Sequence, residues 1–135
     1  LSFAEKFQKP VSIHSRKTLD DIFDILSSFK IQNVLLHWFD GSKKQLKRAM
    51  DLGFYVSYGP LLVYANDKQT LLANTQKDKF LVETDGPVRF SRCFGYKTAQ
   101  IVFLPSVIFC ASKILNLTYD ETVAMLEENS CRYLN

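Results

Sequence analysis

Apolar residues along this chain fall into four short runs separated by stretches whose apolar positions recur with helical spacing. Residues 10–14 (Pro-Val-Ser-Ile-His), 33–38 (Asn-Val-Leu-Leu-His-Trp), 54–58 (Phe-Tyr-Val-Ser-Tyr) and 80–84 (Phe-Leu-Val-Glu-Thr) read as strands, of the kind buried on both faces by crossover helices. Leu1, Phe3, Ala4 and Phe7 form the tail of a helix that Pro10 ends. Thr18 with Asp21 makes an approximate capping box ahead of Leu19, Ile22, Phe23 and Leu26, and Ser42 with Gln45 makes a second ahead of Leu46, Ala49 and Met50, closed by Gly53. Residues 66–78 read as a polar helix or helical turn carrying Leu71 and Leu72. A long helix begins near Pro105 with Leu104, Val107, Ile108, Ala111, Ile114 and Leu115 on one face, and a last one begins at Thr118 with Glu121 as its box partner.

Each strand is followed by a helical pattern at the spacing of one βα unit, so the fold class is α/β with a parallel sheet. Four such units occupy residues 1–135 as a single domain. Eight units close a (β/α)₈ TIM barrel of about 250 residues, so four make half a barrel. A lone four-stranded sheet leaves two bare edges, and the expected partner is the missing N-terminal half or a second copy of the chain.

Composition narrows the class. With 47% hydrophobic and 23% charged residues, and no window near the roughly 18 apolar residues of a membrane span, no membrane partner is expected. The opening Leu1-Ser-Phe-Ala-Glu-Lys-Phe7 carries neither an initiator methionine nor a secretory signal pattern, so the chain reads as shortened before this point. Cys93, Cys110 and Cys131 are odd in number and share no CxxC spacing, which favours reduced thiols and a cytoplasmic setting. A net charge of +3 weakly favours anionic partners such as nucleic acid.

The only two histidines, His14 and His37, each end a strand, and the run from Phe80 leads into Asp85. In parallel sheets chemistry collects where the carboxyl ends of strands open into loops, and imidazole and carboxylate are ligands for divalent ions. His14, His37 and Asp85 are therefore the expected metal ligands, with Asp85 also the catalytic carboxylate that orients an activated water. Glu83, two residues before Asp85, is the expected hydrogen-bond acceptor for a ligand histidine. Arg16 suits a phosphate contact. Tyr58 and Gly59, at the exit of the third strand, complete the expected substrate-binding set, by ring stacking and by close backbone approach respectively.

Five motifs carry a resemblance. Pro10-Val-Ser-Ile-His14-Ser-Arg16, His37-Trp-Phe-Asp-Gly41-Ser42, Tyr55-Val-Ser-Tyr-Gly59-Pro60, Glu83-Thr-Asp85-Gly-Pro87 and Glu128-Asn129-x-x-Arg132-Tyr-Leu134 follow the order of motifs in the TatD family of metal-dependent deoxyribonucleases, which the chain resembles over nearly its whole length. The resemblance implies a barrel of the amidohydrolase type, with this chain as strands five to eight, and two divalent ions (Mg, Mn or Zn) in the complete enzyme. It implies that His14 and His37 hold one ion together with a glutamate from the other half, and that Asp85 serves the second. Its implied substrate is DNA, with RNA as a variant, cleaved as an exonuclease. Phe103-Leu104-Pro105 stands where the family has Asn-Glu-Pro. The alternatives are a related esterase or amidase on the same metal site, or a half barrel that only binds its partner half.

Overall fold

The computed structural model describes all residues 1–135. A short helix α1 (Ser2–Phe7) leads into four βα units: β1 (Val11–His14) with α2 (Leu19–Leu26), β2 (Val34–His37) with α3 (Lys43–Asp51), β3 (Tyr55–Tyr58) with a 3₁₀ turn (Pro60–Val63) and α4 (Asn66–Ala73), then β4 (Phe80–Val82) with α5 (Leu104–Leu115); α6 (Tyr119–Leu134) closes the chain. The strands lie side by side in the order β1-β2-β3-β4, all parallel. No single helix is long and apolar enough to cross a membrane.

Strand alternation divides the sheet into two faces. Val34, Leu36, Val56, Tyr58 and Phe80 point to the helices and join Leu19, Phe23, Leu46, Leu62, Leu72, Val107 and others in one continuous core. On the opposite face Leu35, Tyr55 and Leu81 form a small cluster at the amino-terminal end of the sheet, covered by Tyr133 from the end of α6, whose ring meets that of Tyr55 edge-on at 5.5 Å. Asn129 fixes α6 in place: its side-chain amide donates to Lys77 O at 2.8 Å and Phe80 O at 3.0 Å, satisfying carbonyls at the entrance to β4. At the carboxyl end the same face carries polar side chains.

Local chemistry explains where elements stop. Ser42 (φ −75°, ψ 167°) and Thr118 (φ −70°, ψ 161°) sit in the extended conformation of an N-cap, and both form full capping boxes with Gln45 and Glu121. The expected Thr18–Asp21 box is not made: Thr18 lies at φ −128°, ψ 14° and its side chain accepts no cap bond. Aspartate is one methylene shorter than the glutamate or glutamine such a box needs. Gly53, at φ +73°, ends α3 as expected, with Gly53 N donating to Met50 O and Phe54 N to Ala49 O. The helix expected over 66–78 stops at Ala73, because Asn74 and Thr75 turn their side chains back onto Thr70 O and Leu71 O. β4 ends at Val82 rather than 84, after which one further bond, Glu83 N to Tyr58 O at 3.1 Å, holds the chain to β3.

Candidate metal centre

Parallel register places His14 directly beside His37 at the carboxyl ends of β1 and β2. On that shared face His14 Nδ1 meets His37 Nε2 at 3.0 Å, with ring centroids 5.1 Å apart. Behind His37 stands Glu83: its Oε2 is 3.4 Å from His37 Nδ1 and accepts a hydrogen bond from Ser57 Oγ at 2.8 Å. Ser57 Oγ in turn accepts from Trp38 N at 3.0 Å. A chain of polar contacts thus runs from the backbone after β2 through Ser57 and Glu83 to the far nitrogen of His37.

Burial raises the Glu83 carboxyl above the usual carboxylate range, and the Ser57 hydroxyl, the His37 ring and Trp38 N offset part of that rise, while Asp85 adds to it. Glu83 Oε1 is buried without a hydrogen-bond partner. A buried carboxylate oxygen with acceptor capacity left over, beside one of two converging imidazoles, is consistent with a donor set for a cation.

The donors fit a divalent ion in part. Two nitrogens bound to one ion at about 2.1 Å stand roughly 3.0 Å apart when cis in an octahedron and about 3.4 Å apart in a tetrahedron, so the His14–His37 spacing suits a shared ion. A carboxylate on the outer nitrogen of His37 is the usual support for a ligand histidine. No three His, Cys, Asp or Glu side chains converge closely enough to hold an ion between them, so within this chain the pair would supply two donors. Asp85 lies three residues beyond the end of β4 in the left-handed conformation (φ 52°), near enough to act on the charge of Glu83 but outside the histidine cluster. Arg16 is exposed two residues past His14, with no acidic partner.

Tyr58 requires a correction. It is buried on the helix side of β3, and its hydroxyl is bonded to Thr75 Oγ1 at 2.8 Å, so its ring is not available to substrate. Gly59 also serves another end. Its φ of −110° needs no glycine, but a Cβ there would lie 3.1 Å from Cζ3 of Trp38, whose ring stacks on Phe90 at 5.9 Å. The missing side chain accommodates the tryptophan. Ser57 was not expected in the site; the signal for it was a hydroxyl in an otherwise apolar and aromatic strand, one position from Tyr58 and so on the opposite face. Of the basic residues of α3, Arg48 pairs with Asp24 at 2.6 Å and Lys47 with Asp51 at 2.7 Å, whereas Lys43 and Lys44 at its start make no ion pair.

Residues 1–135 match the profile of the family described as TatD related DNase. A Haemophilus influenzae protein named as an uncharacterized metal-dependent hydrolase is 39% identical over 90 residues, covering 64% of this chain and 34% of that protein. Human deoxyribonuclease TATDN3 is 28% identical over 87 residues, 64% of this chain and 32% of its own length. In structure, YJJV, a TatD homolog from Escherichia coli K12, superposes with a TM-score of 0.89 at 24% identity, over 99% of this chain and 53% of its own. The chain thus spans about a third to a half of the length of these relatives. With its family profile matched from end to end, the chain belongs to the TatD-related DNase family.

Proposed function

We propose that the protein containing this chain is a divalent-metal-dependent deoxyribonuclease, and that residues 1–135 supply strands five to eight of its (β/α)₈ barrel. The observation that carries this reading is the convergence of His14 Nδ1 and His37 Nε2 at 3.0 Å, with Glu83 behind His37, at the carboxyl end of a parallel sheet. A metal-dependent hydrolase and a deoxyribonuclease among the relatives support it, as does a superposition covering 53% of a longer homolog for the half barrel. The remaining donors and the second sheet edge come from the other half of the barrel.

Divalent ions, two in the complete enzyme and drawn from Mg, Mn or Zn, supply Lewis acidity at the phosphoryl group and lower the pKa of water. His14 and His37 would hold one of them. Glu83 Oε2, 3.4 Å from His37 Nδ1, is placed to receive its proton and so favour the tautomer that leaves Nε2 free to coordinate, and Ser57 holds Glu83 in position. Asp85, on the loop leaving β4, takes up the proton of the attacking water or serves the second ion. Arg16, free of any acidic partner, meets a phosphate oxygen.

Cleavage of a single-stranded oligonucleotide by the full-length protein tests this. EDTA should abolish turnover and Mn²⁺ restore it. His37→Ala should lower kcat by at least about 100-fold, because losing a ligand removes activation needed only in the transition state. Glu83→Gln should weaken metal affinity by about 10–100-fold, read by calorimetry. Cleavage that survives chelation would overturn the reading.

A further inference from the structure

Charge is unevenly placed along this chain. Between Asp85 and Asp120 there is no carboxylate side chain, whereas Arg89, Arg92, Lys97 and Lys113 all fall there. The rest of the chain holds thirteen basic against fourteen acidic side chains, so the net +3 arises wholly from this segment. Its first part, residues 86–103, is the loop that leaves β4 and passes over the carboxyl end of the sheet. Phe90 fastens it to Trp38, next to His37, and Cys93 Sγ donates to Pro60 O at 3.8 Å.

Residues 89–98 of this loop, which include both fastenings, form an arm. Arg89 and Thr98 bridge its two sides in antiparallel fashion. At its turn Phe94, Gly95 and Tyr96 all have left-handed φ (56°, 60° and 58°), a conformation that non-glycine residues rarely adopt. Phe94 is held by stacking on Phe103 at 4.0 Å, while Tyr96 stands 57% exposed with the Arg89 guanidinium 5.8 Å from its ring. Arg89, Arg92 and Lys97 have no acidic partner within ion-pair distance, in contrast to Lys47 and Arg48 of α3. Arg92 lies over the Tyr64 ring at 5.9 Å and Lys97 follows Tyr96 in sequence. An exposed ring with an unneutralised guanidinium beside it, on a loop that carries two further cations, is the chemistry that holds single-stranded nucleic acid: bases stack on the aromatic and phosphates meet the cations.

We infer that this arm is a strand-binding subsite, in which Tyr96 stacks a base of single-stranded DNA and Arg89, Arg92 and Lys97 meet its phosphates beside the His14–His37 pair. The inference rests on the reading of that pair as the centre of a nuclease.

Fluorescence anisotropy of a labelled oligothymidylate with the full-length protein in EDTA tests it without cleavage. Tyr96→Ala should weaken binding about tenfold while Tyr96→Phe stays within about twofold of the parent. Arg89→Ala combined with Arg92→Ala should reduce the slope of log K against log salt by about 1.4, at roughly 0.7 per phosphate. Affinity and slope unchanged in these variants would overturn the inference, as would Tyr96-dependent binding to phosphatidylserine vesicles with none to the oligonucleotide. Because binding is read apart from turnover, the two readings fail separately. A protein that binds through Tyr96 yet does not cut with Mn²⁺ supports the arm and removes the nuclease reading; one that cuts but binds without need of Tyr96 removes the arm alone.

Discussion

Ser57 and Tyr58 are neighbours in β3, and their opposite orientations separate the site from the core. The Tyr58 hydroxyl bonds to Thr75, which also donates to Leu71 O, so removing the phenol oxygen leaves Thr75 satisfied. Tyr58→Phe should cost about 1 kcal/mol near neutral pH, the ordinary worth of one hydrogen bond. The deficit should shrink at alkaline pH. Burial raises the Tyr58 pKa above its ordinary 10.0, so above that pH the unfolded chain loses the proton while the folded chain keeps it. The parent's stability then falls as pH rises, and a phenylalanine cannot follow it. Urea unfolding of both proteins at about pH 7 and pH 10.5 checks this; a deficit that widens with pH would contradict it. At this scale the histidines were legible, because both end their strands and the register sets them side by side. Tyr58 was misread because a residue at a strand exit can be assigned to either face unless the alternation is anchored. Here Leu35, Tyr55 and Leu81 on one face and Leu36, Val56 and Phe80 on the other anchor it.

Among the elements, two helix starts with similar sequence signals behave differently. Ser42 accepts from Gln45 N, and Gln45 reaches back to Ser42 N at 2.9 Å; Thr18 makes neither contact with Asp21. Ser42→Ala should therefore destabilise the protein by about 1 kcal/mol, whereas Thr18→Ala should change stability by less than about 0.5 kcal/mol. Thermal unfolding of the two variants side by side is the check, and equal losses would mean that the cap contacts do not carry the difference. Helices and strands were legible in order and type, since apolar spacing reports which residues face the core. Their ends were less so: the stop at Ala73 depends on the side chains of Asn74 and Thr75 folding back onto the helix, a choice that periodicity does not encode.

For the whole molecule, one face of the sheet is sealed by helices while the other carries its apolar cluster only at the amino-terminal end, under Tyr133. The opposite end of that face holds His14, His37, Ser57 and Glu83. This division of apolar floor and polar rim is how a parallel-stranded barrel separates stability from chemistry. The strand-after-strand βα rhythm made the parallel sheet legible in the sequence. The relation of Asp85 to the histidines was not, because the chain leaves β4 at Val82 and takes a left-handed turn before reaching it.

The central claim is that His14 and His37 together hold a divalent ion. A crystal structure of the full-length protein soaked with Mn²⁺, with anomalous diffraction collected at the manganese edge, tests it most directly. The expected result is an anomalous peak at about 2.0–2.2 Å from both His14 Nδ1 and His37 Nε2, with Glu83 remaining on His37 Nδ1. A peak that engages neither histidine, or no peak between them at saturating Mn²⁺, would contradict the account.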